Sequence, residues 1–195
     1  SMAQDPTFDR RDALRAALAA GAIAAASRLA FAQGAEGPRL VVYLSRSGNT
    51  RVIAGALARR FGADVFELRP REPWPADYDE MVAWARRLRE SEADVPLAGS
   101  LGDIDRYRTV FLGFPGWRTD LPAVTRGFLR GHDLSGKTVV PFITYGSSGE
   151  GSSMRTLRAL APDARLVEPF VLRCDQERST LDSLNAWLDG VGEPL

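Results

Sequence analysis

Apolar residues fall in short, nearly unbroken runs at 40–45, 64–69, 109–114, 138–144 and 166–173, each rich in Val, Leu, Ile or Phe. Such runs, without strict alternation, predict strands buried on both faces of a sheet. Between them the apolar positions recur every three or four residues, the period of an amphipathic helix. The expected helices are 49–61 (Ile53, Leu57, Phe61), 77–90 (Met81, Ala85, Leu88), 121–130 (Val124, Phe128) and 152–161 (Met154, Leu157, Leu160). A last one, 179–189, is capped by Ser179 or Thr180 and buries Leu181, Leu184 and Leu188. Five strand–helix units predict an α/β fold, a three-layer α-β-α sandwich around a doubly wound, five-stranded parallel sheet. Such sheets bind ligands beyond the carboxyl ends of their strands, where the strand order switches. The longest irregular stretch, about 91–107, is expected to be a surface excursion.

The residues before the first strand have a different pattern. The pair Arg10-Arg11 precedes a small-residue apolar segment, Ala16 to Ala32, which closes on Ala30-Phe31-Ala32. Charged start, apolar middle and small-residue exit predict a secretory signal. The arginine pair resembles a twin-arginine signal, although Asp12, Ala13 and Arg28 depart from that pattern. The competing reading is an amphipathic helix packed on the domain. The expected division is a signal and linker at 1–38 and one domain at 39–195. Export to the periplasm follows if the signal is used, and a cytoplasmic location if it is not.

Composition narrows the chemistry. Formal net charge is zero over 195 residues, so nothing draws the chain to nucleic acid, or to a membrane other than through export. One cysteine, Cys174, and one histidine, His132, exclude an intramolecular disulfide and make a metal site improbable. Cys174 is expected to be a buried core thiol.

Three loops leave the carboxyl edge of the predicted sheet. The first is Ser45-Arg46-Ser47-Gly48-Asn49-Thr50, between a strand and a helix start. Unpaired amides at a helix N-terminus, joined by hydroxyl donors, make a phosphate cradle. The second loop, Gly113 to Asp120, brings Trp117; the third, Thr144 to Gly151, brings Tyr145. Two aromatics flanking a slot beside a phosphate site suit a mononucleotide with a flat conjugated ring, and flavin mononucleotide (FMN) fits best.

At these motifs the chain resembles the flavodoxin family from about Leu40 to Gly190, on Tyr43 to Thr50, Leu112 to Trp117 and Gly136 to Gly149. The resemblance implies a flavodoxin-like sheet of strand order 2-1-3-4-5 and FMN as cofactor. It implies that Ser45, Arg46, Ser47, Gly48, Asn49 and Thr50 hold the phosphate. Pro115, Gly116 and Trp117, with Arg118, would line one side of the ring, and Thr144, Tyr145, Gly146, Ser147 and Gly149 the other. A carbonyl at Gly116 would turn toward the reduced ring, since glycine lowers the cost of a peptide flip. Flavodoxins that act as carriers are usually acidic, whereas this chain is neutral, and Arg118 near the ring would raise its potential. Electron transfer with a protein partner is therefore expected, or else an FMN-dependent NAD(P)H or quinone reductase acting on a small-molecule donor or acceptor. A flavodoxin-like module that has lost FMN is the third reading, opposed by the intact first loop.

Other motifs weigh less. Gly131 to Thr138 has the letters of a P-loop, but it follows a helix and enters a strand, the reverse of what a P-loop needs. Lys137 there is expected to be a strand-edge surface charge, and His132 a solvated loop residue. The Gly-Ser loop at 146–153 lacks G-x-S-x-G, and His132 precedes it, against the hydrolase order. Trp74 and Trp187 are expected to be packing aromatics, with Trp74 also a candidate to cover a site edge. Asp79-Glu80 and Glu90 to Asp94 are expected to be solvated helix surface.

Overall fold

The computed structural model describes residues 37–91, 94–116, 120–146, 149–173 and 184–190. The signal-like segment, Trp117, Arg118, Ser147, Cys174 and the start of the predicted last helix lie outside these residues. The elements are β1 (Arg39–Tyr43), α1 (Asn49–Phe61), β2 (Asp64–Glu67), α2 (Tyr78–Ser91), β3 (Thr109–Pro115), α3 (Ala123–Gly131), β4 (Thr138–Tyr145), α4 (Ser153–Leu160), β5 (Arg165–Leu166) and β6 (Phe170–Arg173). A further helix, α5, covers 184–190. All strands pair in parallel, in the order β2-β1-β3-β4, with β5 and β6 both against β4. This is the doubly wound 2-1-3-4-5 sheet.

The fifth position differs in one respect from a continuous strand over 166–173. It consists of two short segments separated at Val167–Pro169, and proline explains the break from both sides. Odd-numbered residues of β4 face this position, since Val139 accepts from the Val167 amide at 2.9 Å and Lys137 from Arg165 at 2.9 Å. Pro141 is therefore the β4 residue that should donate here, between the pairs made with β5 and those made with β6. It has no N–H, and neither has Pro169.

Continuous apolar runs become strands buried on both faces. β3 and β4 are buried along their whole lengths apart from their last residues. One core face carries Leu40, Val42, Val110 and Leu112 against Val124 and Phe128 of α3 and Met154 and Leu157 of α4. The other carries Val41, Phe111, Val140 and Phe142 against Ile53 and Leu57 of α1 and Leu184 and Leu188 of α5. A fully buried Leu, Ile or Phe stabilises by about 1.5–3 kcal/mol, so these faces fix where the helix starts lie.

Three expectations are corrected. The stretch after α2 is no surface excursion: Val95, Ile104 and Tyr107 are buried in the core. It is pinned by Arg71 N–H to Pro96 O at 2.7 Å and Ala98 N–H to Arg69 O at 2.9 Å. Lys137 is buried, not a surface charge; its ammonium donates to the carbonyl of Tyr107 at 2.9 Å and lies 4.0 Å from the Asp105 carboxylate. His132 is half-buried: it stacks on Phe128, and Nδ1 lies 2.8 Å from the Phe128 carbonyl, so that nitrogen carries the hydrogen. Gly131 to Thr138 joins α3 to β4, as its order in the sequence requires, and its lysine is engaged with carbonyls rather than free for phosphate. Trp187 packs on Phe170 at 5.3 Å and Trp74 meets Trp84 edge-on at 5.0 Å, both as packing aromatics.

Candidate functional site

The first loop is built around Ser45. Its side chain is buried, and its hydroxyl oxygen accepts from the amides of Gly48 at 3.2 Å and Arg51 at 3.3 Å. One oxygen thereby folds the loop back over the end of β1. Gly48 precedes α1 at φ 102°, in the left-handed region where glycine is unstrained, and no side chain caps the helix there. The first amides of α1, those of Asn49 and Thr50, have no acceptor within the helix. First-turn acidic residues, which would repel an anion, are absent. The donor set suits a phosphate group.

Thr50 links this loop to the third one. Its hydroxyl lies 2.9 Å from that of Thr144 at the end of β4, and both are buried. If Thr50 donates to a phosphate, Thr144 must donate to Thr50. The second and third loops are also joined directly. Gly116 N–H donates to Thr144 O at 2.7 Å. A Cβ on Gly116 would stand 3.0 Å from the Gly149 carbonyl oxygen. Close approach is thus a reason for glycine at 116, besides any freedom of its peptide.

These loops open on one cavity of about 680 Å³. Arg46, Ser47, Asn49 and Thr50 of the first loop line it, with Pro115 and Gly116 of the second and Thr144, Tyr145 and Gly146 of the third. Ser45 and Gly48 shape the first loop from behind, and Gly149 backs the second. The structure thus brings all the described candidates to one edge of the sheet.

Sequence reasoning missed one wall of the cavity. It is made by α2, through Tyr78, Met81, Trp84, Ala85 and Leu88, and by Leu121 to Val124 at the start of α3. Tyr78 is exposed at the mouth, with the Arg46 guanidinium 6.0 Å from its ring centroid. Asp79, read as solvated surface, is exposed and also lines the rim. The spacing of Met81, Ala85 and Leu88 signals an apolar face but not whether a neighbour fills the space before it.

Beside the first loop, Glu67 at the end of β2 joins two cations. It accepts from Arg51 of α1 at 2.6 Å and from Arg69 Nε at 2.9 Å. Desolvation pushes the Glu67 carboxyl up, but the bonds and charges of Arg51 and Arg69 together outweigh it and hold the group below its ordinary range. Arg51 is raised by its bonds to Glu67 and Tyr43. Arg51 is therefore committed to the sheet, which leaves Arg46 as the first-loop cation on the cavity.

A family model for flavodoxin matches residues 38–191. Among solved structures, the chain is similar to a protein of Bacteroides eggerthii described as a flavoprotein, with 28% identity and a TM-score of 0.67 over 81% of this chain and 99% of that one. A second, from Bacteroides uniformis, has 25% identity and a TM-score of 0.67 over 76% and 98%. A flavoprotein of Lactobacillus acidophilus solved in complex with FMN shares the fold at 17% identity and a TM-score of 0.59, over 76% and 99%. No curated protein matches the chain. The family match covers every strand and the three carboxyl-edge loops, and the chain belongs to the flavodoxin family.

Proposed function

We propose that the loop side of the carboxyl-edge cavity holds FMN and that the chain transfers electrons through it. The observation that carries this reading is the Ser45-folded loop at the open start of α1, on the same cavity as Pro115, Gly116, Thr144 and Tyr145. The loop amides, the Thr50 hydroxyl and Arg46 hold the phosphate. Pro115 and Gly116 lie along one side of the ring, and Tyr145 and Gly146 along the other. Trp117, Arg118 and Ser147 are assigned to the same site on the family pattern. When bound, FMN supplies reversible one- and two-electron chemistry, and the protein contributes binding, orientation and electrostatics. The FMN complex of the Lactobacillus acidophilus flavoprotein supports the choice of cofactor.

Titrating the apo-protein with FMN tests this reading. The expected result is quenched flavin fluorescence and a shifted visible flavin band; free-flavin emission at every ratio would remove the redox reading.

A second reading is an FMN-dependent NAD(P)H or quinone reductase. The apolar wall on α2 favours it, because a carrier that meets only proteins needs no recess beside its ring.

The leader pattern at 1–38 supports export of the folded, cofactor-loaded chain by the twin-arginine route to the periplasm. Replacing Arg10 and Arg11 by lysine together is expected to leave the protein in the cytoplasm. An unchanged distribution on cell fractionation would show that the pair is no signal.

A further inference from the structure

We propose that the recess between α2 and α3 binds a neutral, planar aromatic ring of the naphthoquinone class, on the α2 side of the same cavity rather than on the phosphate and ring loops. The cavity has two unlike sides. Loops after β1, β3 and β4 supply its hydroxyl and amide donors. The α2 side supplies Met81, Val82, Trp84, Ala85 and Leu88, and Leu121 and Val124 close it from the α3 side. Polarizable sulfur and an indole on an otherwise aliphatic wall favour an aromatic guest. Trp84 is braced edge-on by Trp74 at 5.0 Å with an interplanar angle of 75°, so this part of the wall is already set.

Two small residues keep the gap open. Ala85 stands on α2 and Ala123 at the start of α3, and both line the cavity. A larger side chain at either position would project into the space a ring needs. Charge selects a neutral occupant: the charged lining residues Arg46, Asp79 and Arg86 are all exposed and of mixed sign, so the recess itself offers no partner to an anion or a cation.

That the guest exchanges electrons with flavin rests on the proposed function; that the recess binds it does not. The test is equilibrium dialysis of 2,3-dimethyl-1,4-naphthoquinone against the full chain, with and without FMN. It compares the wild type with Ala85→Leu and Ala123→Leu, and measures FMN affinity on the same samples. The wild type should retain the quinone in both forms. Each leucine variant should bind it about tenfold more weakly, the scale of a filled pocket, while FMN affinity stays within about threefold. Failure of the wild type to retain the quinone overturns the proposal. So does retention by both variants at wild-type strength, or a parallel loss of FMN affinity, which would make the recess part of the flavin site. Quinone bound in a recess-dependent way by a chain that takes up no FMN would uphold the recess and remove the flavin reading. The two variants lie on different helices, and circular dichroism identifies either one that fails to fold.

Discussion

Gly113→Ala is expected to destabilise the protein by about 3 kcal/mol, the upper end of what overpacking a core costs. A methyl group there would stand 2.1 Å from two ring carbons of Phe142, its neighbour in register on β4. Phe142 is fully buried between the sheet and α1, in one cluster with Ile53 and Leu57. The ring covers the side of β3 that glycine leaves bare, as aromatic residues do beside strand glycines. It has no open space to retreat into without moving α1, and α1 carries the phosphate loop at its start. Urea unfolding should show a lower midpoint with an unchanged slope. Phe142→Leu in the same chain should recover part of the loss, so that the double variant is more stable than the sum of the two single effects. A single variant within about 1 kcal/mol of wild type would mean that the Phe142 ring is free to shift.

Ser45→Ala should weaken FMN binding by about 30-fold and leave riboflavin binding unchanged. The hydroxyl is the acceptor for two amides of the first loop. Losing two such bonds costs about 2 kcal/mol, which corresponds to that factor. Riboflavin has no phosphate, so a loop that matters only for phosphate should not affect it. Comparing the two ligands by fluorescence quenching separates the possibilities. Equal loss for both would show that Ser45 acts through the fold as a whole. No loss for either would show that the loop holds its shape without Ser45.

Local pattern was enough to locate the strands and most helices, because a buried sheet needs continuous apolar runs and an amphipathic helix needs its period. The helix Asn49–Phe61 was legible to the residue. So was the first loop, since a hydroxyl-rich strand-to-helix turn has few other uses. The break in the fifth position was signalled only by Pro169, and its partner Pro141 acquires meaning once β4 is paired. Lys137 was misread because its environment comes from the carbonyl of Tyr107, 30 residues away, and no charge pattern near Lys137 reveals it. The irregular stretch was misread for a related reason. Val95, Ile104 and Tyr107 are too widely spaced to show a period, yet each fills a place in the core. The α2 wall was half legible: Met81, Ala85 and Leu88 were seen as an apolar face, but Trp84 and Tyr78 complete it only in three dimensions.

The paired prolines at 141 and 169 bear on how the protein behaves at high concentration. Among the described residues, one edge of the sheet is β2, four residues long with a carboxylate at each end. Arg106 is bonded to one of these, and Arg51 and Arg69 to the other. The opposite edge is divided by the proline gap, so its longer segment is also four residues long. A foreign strand would find no long, uninterrupted, uncharged ladder to copy on either side. Resistance to edge-to-edge aggregation is thereby built into the same backbone interruption that splits the fifth strand.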